Sequence, residues 1–250
     1  MRLFIQLSYD GSPFCGWQTQ ANSPSVQQEL ERTLSIAFGE KITVVGAGRT
    51  DTGVNARHFI AHFNVTAFPG GSIAPLLRKI NAILPPAIVA EAFYQVPDDA
   101  HARFDAVSRT YRYYIHTAKD PFIRHSCRIW FTPDVEAMNR AALVLLGRHD
   151  FSSFEKTGGA NKTDICTVTE ARWEAIDETH FVFTITADRF LRNMVRATVG
   201  TLLEVGRGRR APEWVAEVLE ARDRGMAGQS VYGEALFLEE IRYPYPLITI

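Results

Sequence analysis

Apolar positions fall in short stretches whose period changes from two to about 3.6 and back along the chain, and that period assigns each stretch to a strand or a helix. Residues 3–9 are rich in strand formers. After the turn-like DGSPFCGW segment, Ser25 and Gln28 have capping-box spacing and Val26, Leu30, Leu34 and Phe38 recur every four residues, which predicts a helix. Residues 42–45 and 59–65 are expected as strands, 72–84 as a helix ended by Pro85 and Pro86, and 88–96 as a further strand. The order is βαββαβ. It is repeated by a strand at 110–117, a helix at 134–146 closed by Gly147, a hairpin pair at 166–176 and 181–187, a helix at 189–205 closed by Gly206, and a strand at 236–243. An extra helix at 212–221, opened by Pro212, precedes that last strand. Two tandem ferredoxin-like halves, residues 1–105 and 106–250, make an α+β fold of antiparallel sheet with helices packed on it. Only VPDDAHARFDAVS joins them, with no low-complexity linker, so the sheets are expected to join.

A chain of 250 residues with 46% hydrophobic content accommodates one large domain or two packed halves, each burying a core. No apolar run approaches a membrane span, and the opening MRLFIQLSYDG is too short an apolar stretch for a signal peptide. Cys15, Cys127 and Cys166 are odd in number, far apart and without ligand spacing, which supports neither a disulfide framework nor a zinc site and suits a reducing cytoplasm. The net charge of -1 argues against a nucleic-acid partner. Its distribution argues otherwise. Arginine, whose planar fork suits phosphates and base edges, supplies 22 of the 27 basic residues, and six arginines between Arg189 and Arg210 stand against the single acid Glu204. Such a cluster is either a solvated charged face or a local basic surface for an anion.

The stretch GAGRTDTGVNARHF, residues 46–59, links two expected strands with far more chain than the roughly two to five residues a hairpin needs. It lacks the third glycine and the following helix of a dinucleotide fingerprint, so its glycines serve unusual backbone angles and close approach. Asp51 there either caps a turn or acts as nucleophile or base. Arg189, Arg192 and Arg196 are three and four apart and would share one side of the expected helix, repelling one another unless an anion meets them. Arg196, flanked by Val195 and Ala197, is expected to be buried against a carboxylate. The strand SRTYRYYIHT alternates Arg109, Tyr111, Tyr113 and Ile115 with Thr110, Arg112, Tyr114 and His116, a pattern that serves ordinary sheet packing or base stacking beside phosphates. The seven histidines show no metal-ligand spacing, and no serine or cysteine nucleophile has a recognisable partner.

The motif GRTDTGV at residues 48–54 resembles the active-site signature of the TruA family of tRNA pseudouridine synthases. YDGSPFCGWQTQ with SVQQELE, then HARFDAVSRTYRYYI, LLGRHDFSSF and FLRNMVRATVGTLLEVG are similar to family blocks and stand in the family's order, nearly end to end. The resemblance implies the pseudouridine synthase fold, its two halves sharing a mixed, largely antiparallel sheet. It also implies isomerisation of a flipped-out uridine to pseudouridine at about positions 38 to 40 of the tRNA anticodon stem-loop. The implied enzyme is a cytoplasmic homodimer that needs no cofactor or metal. Asp51 becomes the catalytic aspartate, Tyr111 the tyrosine against the uracil, and Arg196 the arginine that pairs with the aspartate. Substrate contacts are expected from Arg49, Thr50 and Gly53 in the signature, Arg109 beside Tyr111, Arg189 and Arg192 in the cluster, and Leu236. Two positions depart from the family pattern: Asn55 stands where histidine is usual, and Ala235 replaces the glycine of a glycine-leucine pair. The rivals are a non-catalytic protein with tandem RNA-recognition modules, whose RNP-type aromatic strand is absent, and a synthase for another RNA.

Overall fold

The computed structural model describes residues 1–68, 73–158 and 162–250; Ser72, expected to open the second helix, lies outside them. The chain forms β1 (Arg2–Tyr9), α1 (Val26–Phe38), β2 (Val45–Gly46), β3 (Asn55–Asn64), α2 (Ile73–Ile83) and β4 (Ile88–Gln95). It continues with β5 (Ser108–His116), β6 (Cys127–Arg128), α3 (Val135–Ala142), β7 (Gly147–Asp150), β8 (Ile165–Ala175) and β9 (His180–Ala187). Helices α4 (Met194–Gly206) and α5 (Trp214–Ala221) and strands β10 (Leu236–Arg242) and β11 (Ile248–Thr249) complete it. Two compact units result, one of Met1–Val107 with Leu238–Ile250 and the other of Ser108–Phe237.

In the first unit the strands run in the order β11-β4-β1-β3-β10, with β2 on β3. β1 lies antiparallel to both neighbours, so that Leu3 faces Phe63 on β3 and Gln95 on β4. Leu3, Phe4, Ile5, Leu7, Phe59, Phe63 and Phe93 are all but fully buried there. The expected first helix forms for the expected reason: Ser25 accepts the Gln28 N–H at 3.2 Å, and Gly39 ends the helix at φ 72°. Residues 42–44 do not become the expected strand. Ile42 and Val44 are buried as the alternation requires, but their N–H groups donate to the side chains of Ser35 (2.9 Å) and Glu31 (3.0 Å) on α1. Helix side chains thus take the place of a strand partner, and the ladder is confined to Val45–Gly46.

In the second unit β5, β9, β8 and β7 follow one another antiparallel, and β6 adds parallel to β5. Helix α3 is fastened to β8 by one side chain, Asn139, which donates to the Trp173 carbonyl (3.0 Å) and accepts the Trp173 N–H (2.7 Å). The helix expected over 134–146 ends at Ala142 and tightens into a 3-10 turn, after which Gly147, at φ 97°, opens the unforeseen strand β7. The helix expected from residue 189 begins only at Met194, because Asn193 adopts the left-handed conformation at φ 65°. Arg189 and Arg192 therefore precede α4, and the three arginines do not line one helical side. No helix among the described residues is long and apolar enough to cross a membrane, and none of their His, Cys, Asp or Glu groups is placed to hold a metal ion.

Residues 101–105 of the first unit fold over His62. The Ala102 N–H donates to His62 Nδ1 (3.1 Å), and Asp105 accepts the His101 N–H (2.7 Å) and the Tyr245 hydroxyl (2.7 Å). His101 Nδ1 accepts the Arg103 and Phe104 N–H groups, which gives this histidine a local structural task. Burial, reinforced by His101 and Arg2, lowers the His62 pKa to about 4, although Asp105 pulls the other way. The unfolded chain binds a proton there near pH 6.5 and the folded chain only near 4, so stability is present above the unfolded value and is lost as pH falls between the two. The urea midpoint should drop over that window, by an amount equivalent to about 3 kcal/mol. A His62→Gln variant should show a flatter profile; an unchanged slope would remove His62 as its source.

Candidate active site

The loop carrying Asp51 leaves and re-enters the sheet through β2 and β3, where Gly46 faces Ala61 and the Ala47 N–H donates to Ile60 O at 2.8 Å. Beneath it, Trp17 stacks on Phe59 at 4.1 Å, and Tyr9 lies 5.6 Å from the same ring. Gly46 must lack a side chain because a Cβ would stand 2.6 Å from the Trp17 indole. The segment 11–17 then laces onto the loop. The Trp17 N–H donates to Thr50 O (3.1 Å), the Gly53 N–H to Phe14 O (3.4 Å), and the Val54 N–H closes back on Asp51 O (3.1 Å). The Tyr9 hydroxyl shares a buried 2.9 Å hydrogen bond with Thr50 Oγ1. Asn55, the departure from the family pattern, is buried and accepts the Gly11 N–H at 2.8 Å, so here it fastens the segment to the loop. In this setting Asp51 is half-buried, Arg49 exposed, and Thr50 and Gly53 buried.

The lacing depends on Gly16. Its φ is 93°, and a Cβ there would lie 2.5 Å from Thr50 O. Gly16→Ala should lower stability by about 1–3 kcal/mol and should reduce turnover by more than the unfolded fraction explains, because the loop backbone must shift. A thermal midpoint and specific activity both equal to the parent's would contradict this.

The remaining expected site residues belong to the second unit. Tyr111, on β5 opposite Ile185, is half-buried and meets Phe190 edge to face at 5.1 Å and 85°. Arg109 donates to Asp188 O at 2.8 Å, while the Asp188 carboxylate accepts the N–H groups of Arg189 (2.7 Å) and Thr167 (2.8 Å). The turn after β9 thus brings Arg109, Tyr111 and Arg189 together. Arg192 is exposed, its carbonyl accepting the Lys156 N–H at 3.0 Å.

Arg196 sits half-buried in the first turn of α4 and is held by a strap, residues 227–231, that crosses the helix. Its Nε donates to Val231 O (2.7 Å), and the Val231 N–H donates to the Arg196 carbonyl (3.2 Å). The crossing point admits no side chain, since a Cβ on Gly200 would be 1.8 Å from Gln229 O. Thr201 accepts the Gly228 N–H at 2.9 Å, and Asn193 donates to Ser230 Oγ at 2.6 Å. Burial pushes the Tyr113 hydroxyl pKa far up while the nearby Arg196 charge opposes the rise, so Tyr113 remains a neutral wall beside the arginine. Leu236 is buried, its N–H donating to Gly233 O at 2.9 Å. Ala235 is accommodated in this turn, its carbonyl accepting the Tyr114 N–H at 3.1 Å.

Sequence reasoning missed the braces: Tyr9, Trp17 and Asn55 around Asp51, Phe190 against Tyr111, and the strap on Arg196. The glycine and aromatic content of YDGSPFCGW was the signal for the first group. Nothing local marks Val231 as an anchor.

A family model described as tRNA pseudouridine synthase matches residues 141–244. The tRNA pseudouridine synthase A of Porphyromonas gingivalis is 46% identical over 248 residues, covering 98% of this chain and 98% of that protein. The protein of the same name from Bacteroides thetaiotaomicron is 48% identical over 246 residues, covering 97% and 91%. That from Parabacteroides distasonis is 48% identical over 252 residues, covering 100% and 98%.

Proposed function

Because the chain belongs to the family of tRNA pseudouridine synthases, we propose that it isomerises uridine to pseudouridine in the tRNA anticodon stem-loop, at about positions 38 to 40, on a base taken out of the stack. The observation that carries this is identity of 46% and more along nearly the whole chain, with Asp51 of the signature held in a loop whose backbone is already ordered. Asp51 is the catalytic carboxylate, provided by the first half, residues 1–105. The second half, residues 106–250, provides Tyr111 to cover the uracil and Arg196 to pair with the aspartate. During the reaction the bond from C1′ to N1 breaks and one from C1′ to C5 forms; the C5 proton leaves, with Tyr111 relaying it, and N1 takes up a proton. Substrate and product are isomers and no electrons are exchanged, so the chemistry asks for no cofactor. Arg49, Thr50, Gly53, Arg109, Arg189, Arg192 and Leu236 orient the RNA. A cytoplasmic homodimer with one tRNA spanning both subunits is part of the same proposal. Mapping pseudouridine in tRNA from cells with and without the protein tests it; unchanged modification at these positions would overturn the assigned target.

The arginines outside the chemistry carry a separate expectation. Arg207 and Arg209 share Glu204 at 3.3 and 3.8 Å, which leaves their charge only partly answered at the surface. Replacing Arg189, Arg192, Arg207, Arg209 and Arg210 by glutamine should weaken tRNA binding and flatten its salt dependence by about 0.9 in logarithmic slope for each phosphate that is no longer neutralised. A slope equal to the parent's would return them to a solvated face.

A further inference from the structure

Trp130 has a position that the reaction does not explain. Of the four tryptophans, Trp17, Trp173 and Trp214 are 2%, 2% and 9% exposed, whereas Trp130 is 79% exposed. The Arg128 guanidinium lies over its ring at 3.8 Å from the centroid, and Arg128 Nε is buried without a hydrogen-bond partner, so stacking positions that side chain. Two other guanidinium–ring contacts lie on nearby residues of the same unit. Arg207 lies 5.0 Å from the Phe131 ring and Arg210 4.9 Å from that of Trp214. The segment is pinned at both ends, the Ile129 N–H donating to His116 O and the Asp134 N–H to Gly206 O, each at 2.9 Å. His116 is five residues along β5 from Tyr111, a rise of about 17 Å, so these aromatics are separate from the face that would cover the reacting uracil.

An exposed indole backed by a guanidinium, with a further guanidinium over the next aromatic in the chain, fits a flat π-system carrying negative charge on its edge better than it fits an apolar protein surface. A nucleobase with its phosphates has that chemistry. We propose that Trp130 is a second stacking surface, which takes an unpaired base of the tRNA other than the reacting uridine while Arg128, Arg207 and Arg210 meet the flanking phosphates. The proposal rests on tRNA being the substrate.

Because the other three tryptophans are buried, acrylamide quenching of intrinsic fluorescence reports chiefly on Trp130. Adding unmodified tRNA to the parent protein should quench and shield this emission, and in Trp130→Leu the tRNA-dependent change should vanish. The same variant should raise KM for tRNA about fivefold or more with kcat little changed, and Trp130→Phe should restore most of the loss. If tRNA binds and is modified while the accessibility of Trp130 stays constant, the stacking surface is wrong and the enzyme assignment stands. If tRNA neither binds nor reacts, both fall. Shielding that depends on protein concentration without RNA would assign the surface to a second copy of the chain and overturn the proposal.

Discussion

Asp51→Asn should reduce pseudouridine formation on the order of 10³-fold or more while leaving tRNA affinity and folding close to the parent's. The substitution keeps the side-chain volume and removes only the anionic oxygen. The backbone around it is tied by Trp17 to Thr50, Gly53 to Phe14 and Val54 to Asp51 itself, none of which uses the carboxylate. Modified RNA measured in a single turnover with excess protein separates chemistry from binding. A purified, sequence-verified variant with full activity would end the assignment of Asp51 as the catalytic group.

With the pairing to Asp51 proposed above, Arg196→Met is expected to have the next largest effect, a fall in kcat of about 10²- to 10³-fold. The thioether keeps the apolar stem but gives up both the charge and the hydrogen bond to Val231 O. Arg196→Lys separates the two losses. It restores a positive charge without the planar fork, so it should regain part of the lost rate while remaining slower than the parent. A methionine variant with near-normal rate would pass the role to another arginine, Arg49 being the next candidate.

What the sequence disclosed and what it concealed divide along a physical line. Helix α1 was legible because its signals are local, Ser25 with Gln28 at its start and an apolar residue every four positions from Val26 to Phe38. Asp51 was legible because its loop has too many glycines and too much length for a hairpin. Residues 42–44 misled because their alternation is genuine but is answered by Ser35 and Glu31 rather than by a strand. The start of α4 was hidden for a related reason: the left-handed Asn193 is tied to Ser230, 37 residues away. The short strand β6 exists only through parallel pairing with β5, which leaves no period to read. The Tyr9–Thr50 bond spans 41 residues and is equally invisible to any local rule.

The ordered loop around Asp51 also bears on how this protein comes apart. An active-site loop drawn from the weakest part of a fold opens by itself, and its amides exchange with solvent long before the core does. Here the Trp17, Gly53 and Val54 amides join the loop to the segment before α1, whose first turn is tied back to that segment by the Gln27 N–H donating to Trp17 O at 3.0 Å. Opening the loop thus means loosening that helix start as well. Deuterium uptake at these three amides should follow the slow, cooperative class of β1 and α1, and activity in rising urea should disappear together with the fold rather than ahead of it.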